Sequence, residues 1–160
     1  MAVEINAAVL TVSDTRNLED DRSGAQLVAL LLEIGAAVVD RSVVTDDVET
    51  IRKAILGLAT RGDVNLILTT GGTGIAARDN TPEATRAVLE REVPGITEAI
   101  RRETASKTPM AMLSRAVSGI RSGTLIVNFP GSPKAVRECF DVIRPVLQHA
   151  LDLIAGDTSH

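Results

Sequence analysis

The sequence predicts an α/β fold, a three-layer α/β/α sandwich with a mostly parallel sheet and a small hairpin element. Short apolar runs that are typical of buried strands alternate with segments whose apolar residues recur at helical spacing. A Gly-rich segment, residues 69–74, follows the third apolar run directly. Further along, Ser122-Gly123 separates two more apolar runs, which is the pattern of a two-residue β-hairpin turn.

The first half of the chain contains three strands joined by helices. The strands are predicted over residues 5–12, 36–44 and 63–69. The first helix is expected over residues 24–34, and Gly35 is expected to end it. The second helix is expected to begin near Asp46 and Asp47, where a polar pair follows the second strand.

The second half is predicted to hold two shorter helices, the hairpin and a long final helix. The shorter helices are expected over residues 81–91 and 96–106, and the hairpin strands over residues 116–121 and 124–128. Thr81 is the expected N-cap of the first short helix, since proline and an acid follow it. Ser132 and Pro133 have the same arrangement at the start of the final helix.

The length of 160 residues suits a single domain spanning residues 1–160. The chain has two Phe and neither Trp nor Tyr, so it offers few aromatic platforms for stacking bases. Its net charge of −4 also argues against nucleic acids and anionic membranes as partners. No run reaches transmembrane length and no secretory leader is evident, so a cytoplasmic location is expected. The single cysteine, Cys139, lies on the apolar side of the final helix and is expected in the core.

The Gly-rich segment has the composition of a phosphate-binding loop. Gly71, Gly72 and Gly74 can turn the chain sharply and leave backbone N–H groups uncovered. The hydroxyls of three threonines add possible donors, namely Thr69, Thr70 and Thr73. Asp79 follows closely and could hold a divalent cation against bound phosphates. The segment therefore predicts a phosphate site beside a candidate metal ligand.

Three other interpretations of this segment are weaker. Residues 72–77 fit the dinucleotide pattern G-x-G-x-x-A, but that pattern should open a helix at once, and the next helix start lies later. A P-loop is excluded because no Gly-Lys-Ser/Thr follows the glycines. A turn without any ligand fits the glycines alone, but it leaves the threonines, Arg78 and Asp79 unexplained.

Polar residues follow each of the predicted parallel strands. Ser13 and Asp14 follow the first strand, Asp46 and Asp47 the second, and the Gly-rich segment the third. Ligands in open α/β sheets bind at the carboxyl ends of the strands, so these residues should converge on one site. Residues 128–134 would add a second turn from the hairpin.

These motifs, in this order, resemble the MogA/MoaB-like family of molybdenum cofactor biosynthesis, which includes the G-type domains of gephyrin and of its plant counterpart. The matching segments are residues 10–14, 21–24, 44–47, 66–74, 78–85, 113–116 and 128–135. The resemblance extends from about residue 9 to residue 153, and the block of residues 71–85 is its most specific part.

The resemblance implies a molybdopterin adenylyltransferase, a nucleotidyltransferase that moves AMP from Mg-ATP to the terminal phosphate of molybdopterin and releases pyrophosphate. It also implies a homotrimer and a partner protein that inserts molybdate into the adenylylated product. A noncatalytic molybdopterin-binding protein or a scaffold of the same family is the alternative. Mg²⁺ would be the cofactor, with ATP and molybdopterin as substrates.

The resemblance also assigns roles to individual residues. Asp46 and Asp79 match the functional aspartates of the family and are expected to be catalytic and to hold Mg²⁺. Asp46 could instead cap the helix that follows it. The residues expected to bind substrate are Ser13, Asp14, Ser23, Gly24, Thr69, Thr70, Gly71, Gly72, Thr73, Gly74, Arg78, Ser114, Arg115, Asn128, Pro130, Gly131, Ser132 and Lys134. For Arg78 and Arg115 a structural ion pair is an equal alternative, and for Lys134 simple solvation is the alternative.

Overall fold

A computed structural model describes residues 1–158 and contains six strands. The strands are β1 Asn6–Val12, β2 Ala37–Val44, β3 Leu66–Thr70, β4 Arg91–Glu92, β5 Ser118–Arg121 and β6 Thr124–Phe129. The helices are α1 Arg22–Glu33, α2 Val48–Ala59, α3 Thr81–Arg86, α4 Pro94–Thr104 and α5 Pro133–Ile154, with a short 3₁₀ helix at Pro109–Leu113. None of these helices combines the length and the apolar character that crossing a bilayer requires, within residues 1–158.

All six strands form one sheet in the order β2-β1-β3-β6-β5-β4. The first four strands in this order run parallel, while β5 and β4 continue the sheet in antiparallel pairing. The predicted α/β fold with a mostly parallel sheet and a hairpin is therefore confirmed. Because β1, β2, β3 and β6 run in one direction, the segments that follow them leave the sheet at the same edge.

Helices cover both faces of the sheet and enclose two apolar cores. Alternate residues of β1 point to opposite faces, so that Val9 packs in one core and Leu10 in the other. The first core lies beneath α1 and α5 and contains both phenylalanines, Phe129 and Phe140. The second core lies beneath α2 and α3. The three-layer arrangement follows from strands that are apolar on both faces.

The caps explain where the helices begin. Asp21 caps α1 by accepting a hydrogen bond from the Gly24 N–H, so this helix starts two residues earlier than predicted. Asp47 caps α2 by accepting from the Thr50 N–H, which means that the alternative of a cap by Asp46 is wrong. Ser132 caps α5 as predicted, through the Ala135 N–H.

The start and the end of α3 differ from the prediction. Thr81 is the first residue of this helix and not its cap, because its hydroxyl donates to the Gly71 carbonyl oxygen at 2.8 Å. The helix ends at Arg86 because the chain then enters β4, which pairs with β5. A two-residue strand has too few residues to show a periodic pattern, so the sequence did not reveal it.

The hairpin turn has the geometry that its sequence predicted. Ser122 and Gly123 both have positive φ, at 49° and 74°. A type I′ turn requires positive φ at both central residues, and this turn matches the twist of the flanking strands. The turn sets the register of β5 on β6, and it thereby places the start of β5 beside Asn128.

Candidate active site

Four segments meet at the carboxyl edge of the parallel strands. They are residues 13–16 after β1, 45–47 after β2, 71–80 after β3 and 130–132 after β6. Direct hydrogen bonds tie them together. The Asp14 carboxylate accepts from the Asp46 N–H at 2.9 Å, and the Asn80 amide donates to the Asp46 carbonyl oxygen at 2.9 Å. The convergence predicted from the strand order is therefore present.

The turn after β3 depends on two adjacent glycines with left-handed backbone. Gly71 has φ +98° and Gly72 has φ +70°. A Cβ atom on Gly71 would overlap the carbonyl oxygen of Val12, and one on Gly72 would overlap the hydroxyl of Thr81. Only glycine fits both the conformation and the space, so the sharp turn expected from the sequence has a steric basis.

The threonine hydroxyls of this loop face the protein and not the solvent. Thr69 and Thr70 are fully buried. The Thr69 hydroxyl accepts from the Asn128 amide at 2.9 Å, while the Thr70 hydroxyl donates to the Pro130 carbonyl oxygen at 2.6 Å. Thr73 is 6% exposed. For Thr69 and Thr70 the expectation of donors to a phosphate does not match their buried placement, since they hold the loop against its neighbours. Thr73 instead lines a cavity that adjoins the loop, and its binding role stays a prediction.

Asn128 also belongs to the buried scaffold. It is 1% exposed, and its amide donates to the hydroxyls of Thr69 and Thr85. Its carbonyl oxygen accepts from the Val117 N–H at 3.1 Å. This residue therefore links β6, β3, α3 and the start of β5 beneath the site. The resemblance placed Asn128 among the substrate contacts, and this role stays a prediction because the residue also lines a cavity beside the loop. Its scaffold role could not be read from the sequence, since its partners are distant in sequence.

Asp14 and Arg78 form an ion pair across the mouth of the site. The Arg78 Nε donates to Asp14 Oδ2 at 2.5 Å, and the arginine side chain is 68% exposed. The bond from Arg78, followed by that from the Asp46 N–H, lowers the pKa of Asp14 below its ordinary value. Arg78 is thus placed as an ion-pair partner next to the acids.

Asp46 has a carboxylate oxygen whose hydrogen bonding is unfulfilled. Its Oδ1 is buried and has no hydrogen-bond partner among residues 1–158. Burial raises the pKa of the Asp46 carboxyl, and the negative charges of Asp14 and Asp79 raise it further. A buried, unpaired oxygen among like charges is unfavourable unless a cation or a donor joins it.

Asp79 folds back over the Gly-rich loop. Its Oδ2 accepts from the Ala76 N–H at 2.9 Å, and a Cβ atom on Gly74 would lie 2.8 Å from the same oxygen. The absence of a side chain at Gly74 therefore makes room for the carboxylate. Because Asp79 lies close enough to affect the Asp46 carboxyl, the two acids predicted from the sequence are brought together.

The donor set fits Mg²⁺ better than a metal held by protein ligands alone. Residues 1–158 contain no group of three or more His, Cys, Asp or Glu side chains placed to enclose a metal ion. Mg²⁺ commonly takes one or two carboxylates and fills its other positions with water and substrate phosphates. Asp46 and Asp79 could supply those carboxylates.

Two predicted binding residues, Ser23 and Gly24, belong to a buried cluster at the start of α1. Ser23 is 1% exposed and contacts Asp21, while a Cβ atom on Gly24 would overlap the Asp21 carboxylate. Asp21 also accepts from the Thr11 hydroxyl at 2.6 Å and pairs with Arg41. Ser23 and Gly24 therefore help to build the cluster around the Asp21 carboxylate, and the substrate-binding role that the resemblance implies for them stays a prediction.

The other predicted residues line the edges of the site. The Ser13 hydroxyl accepts from the Arg16 N–H at 3.1 Å and closes the turn after β1. The Ser114 hydroxyl accepts from the Ala116 N–H at 3.3 Å. Gly131 packs close to Gly71, and Lys134 is exposed at the start of α5.

A cavity of about 310 Å³ adjoins the Gly-rich loop. It extends from Thr73 and Gly74 to the turn at Pro130, and Ser114 also lines it. Most of its wall is apolar, contributed by α4, the 3₁₀ helix and α5. The loop, the Ser114 segment and the Pro130 turn thus border one enclosed space.

Cys139 lines this cavity from α5 and is 5% exposed, which confirms its predicted core position. Burial raises the pKa of the Cys139 thiol to about 12. We expect almost no reaction with a maleimide or a disulfide reagent at pH 8 in the folded protein, and rapid reaction after unfolding in guanidinium chloride. Stoichiometric labelling of the folded protein within minutes would contradict this placement.

Comparisons with known proteins agree with these features. A family model described as "Probable molybdopterin binding domain" matches residues 8–149. The chain is 36% identical over 157 residues to molybdopterin adenylyltransferase of Helicobacter pylori strain J99, covering 96% of this chain and 89% of that protein. It is 45% identical over 158 residues to the molybdenum cofactor synthesis protein cinnamon of Drosophila melanogaster, covering 97% of this chain but only 26% of cinnamon. The crystal structure of the molybdopterin biosynthesis enzyme MoaB from Thermus thermophilus superimposes with a TM-score of 0.87 at 44% identity, covering 95% of this chain and 97% of that one.

Proposed function

Because the chain belongs to the MogA/MoaB-like family of molybdopterin-binding proteins, we propose that it is a molybdopterin adenylyltransferase of molybdenum cofactor biosynthesis. The reaction joins the terminal phosphate of molybdopterin to the α-phosphorus of ATP. A new P–O bond forms there, the bond to the bridging oxygen breaks, and pyrophosphate leaves. The observation that carries the proposal is the buried Asp46 Oδ1, which has no hydrogen-bond partner among residues 1–158. It lies within electrostatic reach of Asp79 and next to a turn whose two glycines leave no room for a side chain.

The acids and the loop have separate roles in this proposal. Nucleotidyl transfer depends on aligning two phosphate groups and neutralising their charge. Mg²⁺, when bound with ATP, would supply that neutralisation. Asp46 and Asp79 would hold the ion, and the backbone N–H groups of residues 72–74 would hold phosphate oxygens. The Gly71 N–H is not available for this purpose, because it donates to the Phe129 carbonyl oxygen at 3.0 Å.

We assign the pterin to the 310 Å³ cavity beside the loop. Its apolar wall suits a flat heterocycle, while Ser114 and the Pro130 turn provide polar groups at its edge. Lys134, at the exposed start of α5, could pair with a phosphate there. The two substrates would thus meet at Gly74, which borders both the cavity and the Asp79 carboxylate.

The proposal extends to the assembly and the setting of the protein. Residues 1–160 would form a single domain that acts in the cytoplasm and passes its product to a molybdate-inserting partner. The 36% identity to a bacterial molybdopterin adenylyltransferase supports the enzyme over the scaffold.

We also propose a homotrimer. Exposed apolar side chains cluster beside the cavity, at Ile75, Met110, Met112 and Leu113, and they offer a surface for self-association. Met112 is 73% exposed, so Met112→Glu should leave the protomer folded while placing a charge in the interface. We expect a trimeric mass for the wild type and a monomeric mass for Met112→Glu in size-exclusion chromatography with light scattering. A trimer in both samples would show that the surface lies elsewhere, and a monomeric wild type would contradict the trimer itself.

The direct test is an assay for the adenylylated product. Purified protein is incubated with molybdopterin, ATP and MgCl₂, and the pterin is analysed by mass spectrometry; a matched sample contains excess EDTA. We expect a mass increase of one AMP group only when Mg²⁺ is present. Tight molybdopterin binding without any product would support the noncatalytic alternative instead. An absence of pterin binding would remove the proposed function altogether.

A further inference from the structure

Arg115 contacts the Gly-rich loop at several points. Its backbone N–H donates to the Thr73 carbonyl oxygen at 2.8 Å. Its Nε donates to the Gly74 carbonyl oxygen at 2.7 Å, and its Nη2 donates to the Asp79 carbonyl oxygen at 2.7 Å. Its Nη1 forms an ion pair with the Glu83 carboxylate on α3.

These contacts hold both ends of the loop segment 74–79 on the planar guanidinium of Arg115. Gly74 and Asp79 are the two ends of the segment that carries the candidate metal ligand, and one planar guanidinium holds the carbonyl oxygens of both. Glu83 fixes the guanidinium from the opposite side and links the loop to α3. The donors of Arg115 are therefore directed at protein acceptors and not at the space above the loop.

We propose that Arg115 is a positioning residue that sets the Asp79 carboxylate for the reaction, and this inference rests on the proposed function. Within residues 1–158 the Asp79 side chain accepts a hydrogen bond from its own loop alone, from the Ala76 N–H, so its orientation depends on how that loop is held. A lysine could satisfy one carbonyl oxygen but could not span both and also reach Glu83. The positive charge alone is thus insufficient for this role.

The chain offers a closely matched control in Arg121. This residue lies on β5 and is exposed to nearly the same extent as Arg115, with side chains 34% and 35% exposed. It also bonds one carbonyl oxygen, that of Val88, and pairs with one glutamate, Glu90. Arg121→Lys therefore makes the same chemical change without touching the loop.

The decisive experiment is a double-mutant cycle of Arg115→Lys and Asp79→Asn on AMP transfer. We expect Arg115→Lys alone to lower kcat by roughly tenfold to a hundredfold, since small misplacements of a reacting group have effects of this size. In the Asp79→Asn background the same substitution should have little further effect, because the residue that it positions is already lost. Arg121→Lys should leave kcat within about twofold in both backgrounds. Equal losses from Arg115→Lys in the two backgrounds would overturn the positioning role.

Amide hydrogen exchange gives a readout that does not depend on activity. In Arg115→Lys we expect faster exchange confined to the loop segment of residues 75–80, and in Arg121→Lys we expect no change there. Unchanged exchange in Arg115→Lys would show that the contacts do not hold the loop. If the wild type failed to transfer AMP while exchange still rose in Arg115→Lys, the proposed function and its positioning residue would be rejected, and a structural link would remain.

Discussion

Asp79→Asn is expected to lower the rate of AMP transfer by about two to three orders of magnitude, because it removes a carboxylate that would hold Mg²⁺ against the reacting phosphates. Asparagine can still accept the hydrogen bond from the Ala76 N–H through its side-chain oxygen, so the loop should keep its shape. The substitution thus removes the negative charge of residue 79 and keeps the loop conformation. The measurement is kcat for product formation at saturating ATP over a range of MgCl₂ concentrations.

The substitution of Asp by Asn at the neighbouring pair Asp46 and Asp47 tests this assignment, and Asp47→Asn is the control. Asp46→Asn should reduce transfer by a similar factor, since Asp46 is the other candidate metal ligand. Asp47→Asn should have almost no effect, because Asp47 caps α2 and asparagine is an equally good cap. Retention of full activity in Asp79→Asn, or an equal loss in Asp47→Asn, would show that the acids have been assigned incorrectly.

Asp46→Asn should also make the Mg²⁺-free protein more stable. The fold raises the pKa of the Asp46 carboxyl, first through burial and then through repulsion from Asp14 and Asp79. A raised pKa means that the ionised carboxyl opposes folding. The contribution of Asp46 to the free energy of unfolding is therefore most favourable below the pKa of the unfolded chain, and it is lost as the pH rises through the pKa of the folded protein. We expect Asp46→Asn to raise the thermal midpoint at pH 7 in EDTA and to abolish the stabilisation that Mg²⁺ and ATP give the wild type.

Gly71→Ala is expected to be the most disruptive single substitution in the loop, at a cost of roughly 2–5 kcal/mol in the free energy of unfolding. The added Cβ would overlap the carbonyl oxygen of Val12. Val12 is the last residue of β1, which is fixed between β2 and β3 in the sheet. The left-handed φ of +98° adds conformational strain. Because the Gly71 carbonyl oxygen accepts from Thr81, a displaced loop would also disturb α3 and reduce activity.

Gly62→Ala separates the effect of the strained backbone from the effect of the steric overlap with Val12. Gly62 has a similar φ of +85°, but a Cβ atom there would have no atom within 4 Å. It should therefore cost only the conformational strain, on the order of 1 kcal/mol, and leave activity unchanged. Urea unfolding at a fixed protomer concentration would give both values. Equal destabilisation by the two variants would mean that the contact with Val12 is not the source of the effect.

The position of the candidate site could be predicted because it depends on repeating local patterns. Apolar runs that alternate with helical periods indicate parallel strands, and parallel strands bring the following loops to one edge. Asp14, Asp46 and Asp79 all lie at that edge, as expected. The start of α5 was predictable because Ser132 caps its own helix and proline follows it.

The prediction was less accurate where a polar side chain could serve either a ligand or the scaffold. Thr70 and Asn128 have the residue types of a phosphate site, but each bonds to a backbone group more than ten positions away. For Arg115 the alternative of a structural ion pair is confirmed. Glu83 and Asp21 received no role from the sequence, although the first anchors Arg115 and the second organises a buried cluster. No local pattern identifies such partners, because they are neighbours only once the sheet has formed.

The sequence by itself determined the order of strands and helices, the hairpin turn at Ser122-Gly123 and the family of the protein. The elements and the turn depend on backbone preferences and apolar periods over a few neighbouring residues, while the family follows from the resemblance of its ordered motifs. Only the tertiary structure decided which polar side chains bond within the protein and which are left to bind a ligand. Packing the four parallel strands side by side uses the hydroxyls of Thr69 and Thr70 and the guanidinium of Arg115 for internal bonds. The same packing leaves one oxygen of Asp46 buried without a hydrogen-bond partner in the described part of the chain, where the charges that act on it include two other acids.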